Sequence, residues 1–154
     1  MSKSVARVAE AIARCGLEAR IIEPGPSRTA EEAAAACGCE IDQIVKSLIF
    51  EGESGRIYLF LTAGGNRLDP ERAAAVAGEK LGRADAETVR RETGFAIGGV
   101  APLGHLTAPR IFADARLGEF AQVFAAAGTP RHVFAVEPRA LIAACGAEWA
   151  DFTA

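Results

Sequence analysis

Two apolar runs separated by a short glycine turn constrain the fold of this chain most strongly. Residues 45–51 read VKSLIFE, residues 56–63 read RIYLFLTA, and the turn between them carries Gly52 and Gly55. Both runs are rich in β-branched and aromatic residues, which favour strands, and glycine permits a tight turn. The pattern predicts a β-hairpin, so at least one strand pairing in the sheet is antiparallel.

Helix signals lie on both sides of this hairpin. Residues 3–15 carry apolar residues at helical spacing and end at Gly16, a residue type common just after a helix. Thr29 and Glu32 form a capping box before an alanine-rich helix that ends at Gly38. Further helix starts are predicted at Asp69, Asp85 and Pro138.

The order of these elements predicts the fold class. More strands are expected in EARIIEP, in RIFAD and in a second hairpin that turns at Gly128 to Pro130. Helices and hairpins alternate irregularly, which favours an α+β fold with a mixed or antiparallel sheet over a doubly wound parallel one. A chain of 154 residues is most simply one domain, spanning residues 1–154.

Lys46 is an unusual residue inside the first predicted strand. The two-residue period of a strand places it on the same face as Leu48 and Phe50, opposite Val45 and Ser47. An unpaired ammonium is costly to bury, so its side chain either extends to water or faces a cleft. Only three of the 17 basic residues are lysines. Arginine is therefore the default cation, and a lysine at this position is a candidate for function.

Composition excludes several classes of protein. The net charge of −3 gives no overall attraction to a polyanion, which would have to bind a local patch. No apolar run reaches about 18 residues, and residues 1–16 predict an amphipathic helix, so a cytoplasmic protein without membrane contact is expected. The cysteines and histidines lack metal-site spacing, so neither a metal nor a cofactor is expected. P-loop and G-x-S-x-G motifs are absent.

A glycine-proline loop and a histidine are further candidates. Gly98 and Gly99 open the loop GGVAPLG and permit close backbone approach, and Pro102 fixes its exit. The N–H groups of such a loop can stabilise negative charge on a carbonyl during ester hydrolysis. His132 follows the turn GTPR, at the expected start of a strand. Loops of this composition are more often ordinary strand connections, and a lone histidine at a strand end is more often a surface or structural residue, so both interpretations stay open.

Together, three segments resemble the YbaK/prolyl-tRNA synthetase editing-domain family of free-standing aminoacyl-tRNA deacylases. They are TAEEAAAACG with IDQIVKSLIF, then GFAIGGVAPLGH, then GTPRHVFAV, and the resemblance runs from Thr29 to Cys145. It includes the family's lysine in a V-K-S/T-L strand and its G-x-x-x-P loop. The resemblance implies a single α+β domain with a mixed, curved β-sheet and flanking helices. It also implies hydrolysis, in trans, of a wrong small amino acid of the Ala, Cys, Ser or Thr class from proline tRNA.

The resemblance also implies roles for individual residues. Lys46 would hold the terminal nucleotide or the developing charge, and Gly98, Gly99 and His132 would complete the catalytic set. The residues implied in substrate binding are Ser27, Thr29, Ser47, Val100, Ala101, Pro102, Gly128 and Thr129. The implied partner is the acceptor end of mischarged tRNA. Because the net charge is acidic, prolyl-tRNA synthetase is a further expected partner that would supply tRNA recognition.

Two other functions stay open. A noncatalytic module could use the same cleft to bind a nucleotide, an amino acid or a partner protein. A thiol-redox protein could use Cys37 and Cys39, although their C-x-C spacing lacks the usual C-x-x-C motif. Turnover of an aminoacyl-tRNA would separate the deacylase from both.

Overall fold

A computed structural model describes residues 2–154, and this part of the chain forms five helices and eight strands. The helices are α1 (Lys3–Cys15), α2 (Ala30–Cys37), α3 (Pro70–Ala77), α4 (Ala86–Thr93) and α5 (Pro138–Cys145). The strands are β1 (Ala19–Ile22), β2 (Ile44–Gly52), β3 (Ile57–Ala63), β4 (Leu81–Arg83), β5 (Arg110–Asp114), β6 (Val123–Ala126), β7 (Val133–Val136) and β8 (Glu148–Ala150). Two short 3-10 turns span Ile41–Gln43 and Ala115–Glu119.

The strands form one mixed sheet. Its order is β1-β7-β6-β2-β3-β5-β8, and β4 pairs with β2 beside this path. The β2–β3 and β6–β7 pairs are antiparallel, whereas β2–β6, β3–β5 and β5–β8 are parallel. The mixed α+β architecture and both hairpins are therefore confirmed. Strands β4 and β8 were not predicted, because three residues are too few to show a two-residue period.

The helix ends follow the predicted signals closely. The Thr29 hydroxyl accepts the N–H of Glu32 at 3.1 Å, as a capping residue should. The Glu32 carboxylate, however, accepts the N–H of Arg28 at 2.9 Å, so the reciprocal bond of the capping box lies one residue earlier than predicted. At α5 the capping residue is Glu137, directly before the predicted start at Pro138.

The two faces of the sheet are covered differently. One face packs against α1, α4 and α5 in a single large cluster that includes Leu59, Leu61 and Phe134. The other face carries two separate clusters. One contains Phe60 with α3, and the other contains Phe124 with α2. The second face is therefore interrupted between two helices.

Lys46 lies at this interruption. Along the same face of β2, Ile44 belongs to the α2 cluster, whereas Leu48 and Phe50 pack against the α3 cluster. Lys46 stands between them, opposite Thr62 of β3. The predicted orientation of Lys46, Leu48 and Phe50 is confirmed. A lysine fits at this position of β2 because the strand runs from one apolar cluster to the other, and Lys46 lies between them.

The sheet also has a gap along β2. Strand β6 pairs with β2 only at Ile44 and Val45, and β4 pairs with it only from Phe50 to Gly52. Within residues 2–154, the segment 46–49 consequently has no strand partner on that side. An unpaired strand edge exposes backbone donors and acceptors that can bind another group.

Candidate functional site

Lys46 is held by a neutral partner. Its ammonium Nζ donates to the backbone oxygen of Asn66 at 2.6 Å, and within residues 2–154 it forms no ion pair. Burial lowers the pKa of Lys46 from its ordinary 10.5, with Glu31 acting in the opposite direction. An ammonium has three N–H donors, so the bond to Asn66 leaves two for another ligand.

A cleft of about 230 Å³ lies along the gap in the sheet. Four consecutive residues of β2, 47 to 50, line it. Because successive strand residues point to opposite faces, a cleft lined by four in a row must run along the strand edge. The other lining residues are Arg83, Ala84, Val89, Ile97, Gly98 and Val100. The Ser47 hydroxyl is buried and has no hydrogen-bond partner within residues 2–154.

The predicted glycine-proline loop forms one wall of this cleft. Gly98 has a φ of +93°, in the region that favours glycine. The Gly99 N–H donates to the backbone oxygen of Ala96 at 3.0 Å, whereas the N–H groups of Gly98 and Val100 donate to no atom of residues 2–154. Ala101 and Pro102 are buried and anchor the loop. The loop therefore keeps two backbone N–H groups, those of Gly98 and Val100, without an acceptor within residues 2–154.

His132 belongs to a second network behind the loop. Its Nδ1 lies 2.7 Å from the Thr129 hydroxyl, and its Nε2 lies 3.5 Å from Glu23. The Ser27 N–H donates to the backbone oxygen of Pro130 at 3.1 Å, which ties the segment before α2 to the same turn. Ser27, the 128–130 turn and His132 are thus brought together.

The loop and this turn pack backbone to backbone. A Cβ added to Gly99 would lie only 2.7 Å from the Thr129 Cα and 2.9 Å from the Gly128 carbonyl carbon. Glycine is therefore the residue that permits this approach. Within residues 2–154, Lys46 is hydrogen-bonded to neither group and does not line the cleft, whereas Ser47, the next residue of β2, does. Thr29 lies apart, where its hydroxyl caps α2.

Cys37 and Cys39 are partly buried thiols. Burial raises the pKa of Cys39 to about 11 and also raises that of Cys37, which favours the unreactive thiol. Within residues 2–154, no group of three or more histidine, cysteine or acidic side chains is placed to hold a metal ion. No helix in that part of the chain is both long and apolar enough to span a bilayer.

Comparison with known proteins identifies the family. The model of the aminoacyl-tRNA editing domain matches residues 24–144. The chain belongs to this family. A crystal structure of a candidate trans-editing enzyme for prolyl tRNA synthetase has 46% sequence identity and a TM-score of 0.93, covering 100% of this chain and 99% of that one.

Relatives found by sequence agree with this assignment. Protein YwhH of Bacillus subtilis (strain 168), itself uncharacterised, is 33% identical over 115 residues, 75% of this chain and 73% of YwhH. A proline–tRNA ligase of Thermosipho melanesiensis is 37% identical over 99 residues, 63% of this chain but 17% of the ligase. The predicted family, fold and enzyme class are confirmed: the editing domain is a hydrolase of the aminoacyl-tRNA deacylase type.

The editing domain contains contacts that sequence reasoning missed. Arg83 and Ile97 line the cleft, and Ile97 is 60% exposed despite its apolar side chain. Asn66 holds Lys46, and Asp114 in turn holds Asn66. The glycine-asparagine turn directly after the predicted strand β3 was a visible signal for Asn66. Arg83 had none, because β4 itself was not predicted.

Proposed function

We propose that this editing domain acts in trans to hydrolyse the ester of a wrong small amino acid, of the Ala, Cys, Ser or Thr class, on proline tRNA. The similarity to a candidate trans-editing enzyme for prolyl tRNA synthetase, and to part of a proline–tRNA ligase, supports this substrate. A synthetase pocket distinguishes side chains that differ by one methylene by only about 1–3 kcal/mol. A second site that removes such errors therefore has a clear purpose.

The observation that carries this proposal is the state of the Lys46 ammonium. It lies at the first residue of the open edge of β2, is held by a carbonyl, and keeps N–H donors for a ligand. A negatively charged group would complete its coordination. In an aminoacyl-tRNA, the phosphate of the terminal nucleotide and the oxyanion that forms at the ester carbonyl are such groups.

The cleft supplies further contacts that suit the acceptor end. Arg83 lines it and forms no ion pair within residues 2–154, so its guanidinium can bind phosphate. Lys46 and Arg83 would together provide the local positive charge that the net charge of −3 does not. The apolar side chains of Ile97 and Val100 suit the face of a base or a small apolar side chain.

The proposed reaction is a water attack on the ester carbonyl carbon. The bond between that carbon and the ribose oxygen breaks, releasing the free amino acid and a tRNA with a free hydroxyl. The free N–H groups of Gly98 and Val100 would stabilise the oxyanion, with Gly99 keeping the loop in place. Covalent catalysis by Lys46 does not fit, because amine attack on the ester would leave a stable amide.

Selection of the amino acid is assigned to the residues around the cleft. Ser47 offers an unpartnered hydroxyl to a polar substrate group. The network of Ser27, Thr129 and His132 lies behind the loop and would limit the size of the side chain, with Gly128 keeping the turn tight. Ala101 and Pro102 shape the loop from inside, and Thr29 fixes the start of α2 near Ser27.

The experiment that tests this function offers the full chain proline tRNA charged with alanine, cysteine, serine, threonine or proline in turn. Release of the amino acid is followed over time, with and without prolyl-tRNA synthetase, because recognition of the tRNA body is expected to come from that partner. Selective release of one small amino acid, with prolyl-tRNA left intact, is the expected result. Saturable binding of tRNA without turnover of any of the five would instead indicate a noncatalytic binding module.

A further inference from the structure

The turn that holds Lys46 follows directly after β3. The Asn66 N–H donates to the backbone oxygen of Ala63 at 2.9 Å and closes the turn, and the Asn66 oxygen accepts the Lys46 ammonium at 2.6 Å. The position of the ammonium is therefore set by the position of one carbonyl. Whatever fixes this turn also fixes Lys46.

Asp114 holds the turn from the end of β5. Asp114 is only 5% exposed. Its Oδ2 accepts hydrogen bonds from the Asn66 side-chain amide at 2.9 Å and from the Ala63 N–H at 3.1 Å. Its Oδ1 accepts the N–H of Arg116 at 3.0 Å. A buried carboxylate is stable only with such donors, so Asp114 and the turn require each other.

Asp42 holds the same turn from the opposite side. Its Oδ1 accepts the Gly65 N–H at 2.8 Å, and its Oδ2 accepts the Arg116 guanidinium at 2.9 Å. A Cβ on Gly64 would overlap the backbone oxygen of Ile41, so only glycine allows this approach. Asp42, Arg116 and Asp114 thus close a ring of polar contacts around the turn.

We propose that Asp114 is a positioning residue for Lys46, acting through the Asn66 turn. An aspartate in direct contact would neutralise the ammonium and compete with a substrate anion. The Asp114 carboxylate instead contacts Asn66, and the Asn66 backbone carbonyl orients the Lys46 ammonium. The positive charge of Lys46 stays available for a substrate anion. This inference rests on the proposed function for its purpose, but the orienting contact itself can be tested without substrate.

The substrate-free test uses the small number of lysines. The chain has only Lys3, Lys46 and Lys80, so a protein labelled with ¹³C-lysine gives three side-chain signals, and Lys46→Arg assigns one of them. A held ammonium has a restricted, distinct ε-CH₂ signal. Asp114→Asn should move the Lys46 signal toward those of the other two lysines, because an amide cannot accept from all three of the donors that Asp114 serves.

Two further variants keep this test decisive. Asn66→Ala retains the backbone carbonyl but removes the amide that reaches Asp114, so it should move the Lys46 signal even if Asp114→Asn folds poorly. Glu79→Gln is the matched control. The Glu79 carboxylate holds the turn at the other end of the β2–β3 hairpin, through the Ser54 N–H and hydroxyl at 2.8 Å each, and should leave the Lys46 signal in place.

The catalytic readout uses whichever charged tRNA the wild-type protein hydrolyses. Asp114→Asn and Asn66→Ala should lower kcat/KM by about 10- to 100-fold, the size expected for a displaced catalytic group. If Lys46→Arg changes kcat, then Asp114→Asn and Asn66→Ala should change kcat in the same direction. The same holds for KM. Glu79→Gln should alter neither.

Two results would overturn the positioning role. One is a Lys46 signal that stays in place in a folded Asn66→Ala protein. The other is a loss of kcat/KM in Glu79→Gln as large as in Asp114→Asn, which would indicate a general structural effect. Absence of turnover by the wild-type protein would instead contradict the proposed function, and the lysine signals would still decide the positioning role.

Discussion

Lys46 and Arg116 lie in one polar network but have opposite surroundings. Arg116 contacts the carboxylates of Asp42 at 2.9 Å and Glu119 at 3.1 Å, and the hydrogen bond with Asp42 raises the pKa of Arg116. Within residues 2–154 the Lys46 ammonium is hydrogen-bonded only to a carbonyl, and burial lowers the pKa of Lys46. The charge of Arg116 is therefore neutralised by carboxylates within the protein. Lys46, which forms no ion pair within residues 2–154, is the cation expected to meet a substrate anion.

The largest expected effect is the loss of catalysis when the Lys46 charge is removed. Lys46→Met keeps most of the side-chain volume but has no N–H donor. We expect kcat/KM for deacylation to fall by about 10²- to 10³-fold, as for removal of a donor to an oxyanion. Steady-state kinetics with the preferred mischarged tRNA measure this. A folded Lys46→Met protein that retains the wild-type rate would contradict the catalytic role that distinguishes Lys46 from Arg116.

A smaller effect is expected where the loop meets the turn beside the cleft. In Gly99→Ala the new Cβ would meet the Thr129 backbone at 2.7 Å, so loop and turn must separate. We expect a loss of about 1–3 kcal/mol in unfolding free energy, typical of overpacking. We also expect kcat/KM to fall by about tenfold, because the N–H donors of Gly98 and Val100 shift.

Gly82→Ala is the control for that substitution. Gly82 lies in β4, and a Cβ added to it would have open space within 4 Å, so the same chemical change should leave stability and rate near wild type. Urea unfolding and the deacylation assay are run on both variants. Equal losses in the two would show that the close approach at Gly99 has no special importance.

The titration of Lys46 gives a third test. Glu31, Asp42 and Asp114 raise its pKa and Arg67 lowers it, but burial dominates, so Lys46 should titrate below 10.5. Between that lowered value and 10.5 the unfolded chain binds more protons, so this group's contribution to stability rises with pH. Deacylation should fall over the same range as the ammonium is lost.

The ε-CH₂ signal of Lys46, followed against pH, measures this pKa directly. In Glu31→Gln the value should fall further, because Glu31 stabilises the charged form. A midpoint at or above 10.5 in the wild-type protein would mean that the ammonium is neutralised after all. The contrast with Arg116 would then disappear.

The smallest effect is expected at the cysteines. Burial raises the pKa of Cys39 to about 11, so at neutral pH its sulfur is a thiol. The double variant Cys37→Ser, Cys39→Ser should keep the wild-type deacylation rate, in the presence or absence of a reductant. A rate that depends on either cysteine would revive the thiol-redox interpretation.

Local signals carried much of the fold prediction. The hairpin of β2 and β3, the face on which Lys46 lies and the helix starts at Asp69 and Asp85 all depend on residues close in sequence. The family was recognised from motifs that are likewise continuous in sequence. These parts are confirmed, whereas the roles of Lys46, His132 and the glycine loop remain predictions.

The missed features depend on distant pairings. The gap along β2 exists because β6 and β4 pair with only its two ends, and no local pattern encodes where such a pairing stops. Asn66 and Asp114 are 48 residues apart. The glycine-asparagine turn marks Asn66, but Asp114 lies in no recognisable motif, and nothing local in the sequence indicates that the two residues meet. Their meeting depends on the parallel pairing of β3 with β5, which sequence periodicity cannot specify.

The most direct test of the central contrast is the unfolding free energy of Lys46→Met and Arg116→Met, measured by urea denaturation at neutral pH beside the wild type. Burial opposes the charge of Lys46, so Lys46→Met should be as stable as the wild type or more so. Arg116→Met should be less stable, because it removes the partner of two carboxylates. If the unfolding free energy falls in Arg116→Met but not in Lys46→Met, the result supports a role for Lys46 in binding substrate. A clear loss of stability in Lys46→Met would contradict the account and make Lys46 a structural cation like Arg116.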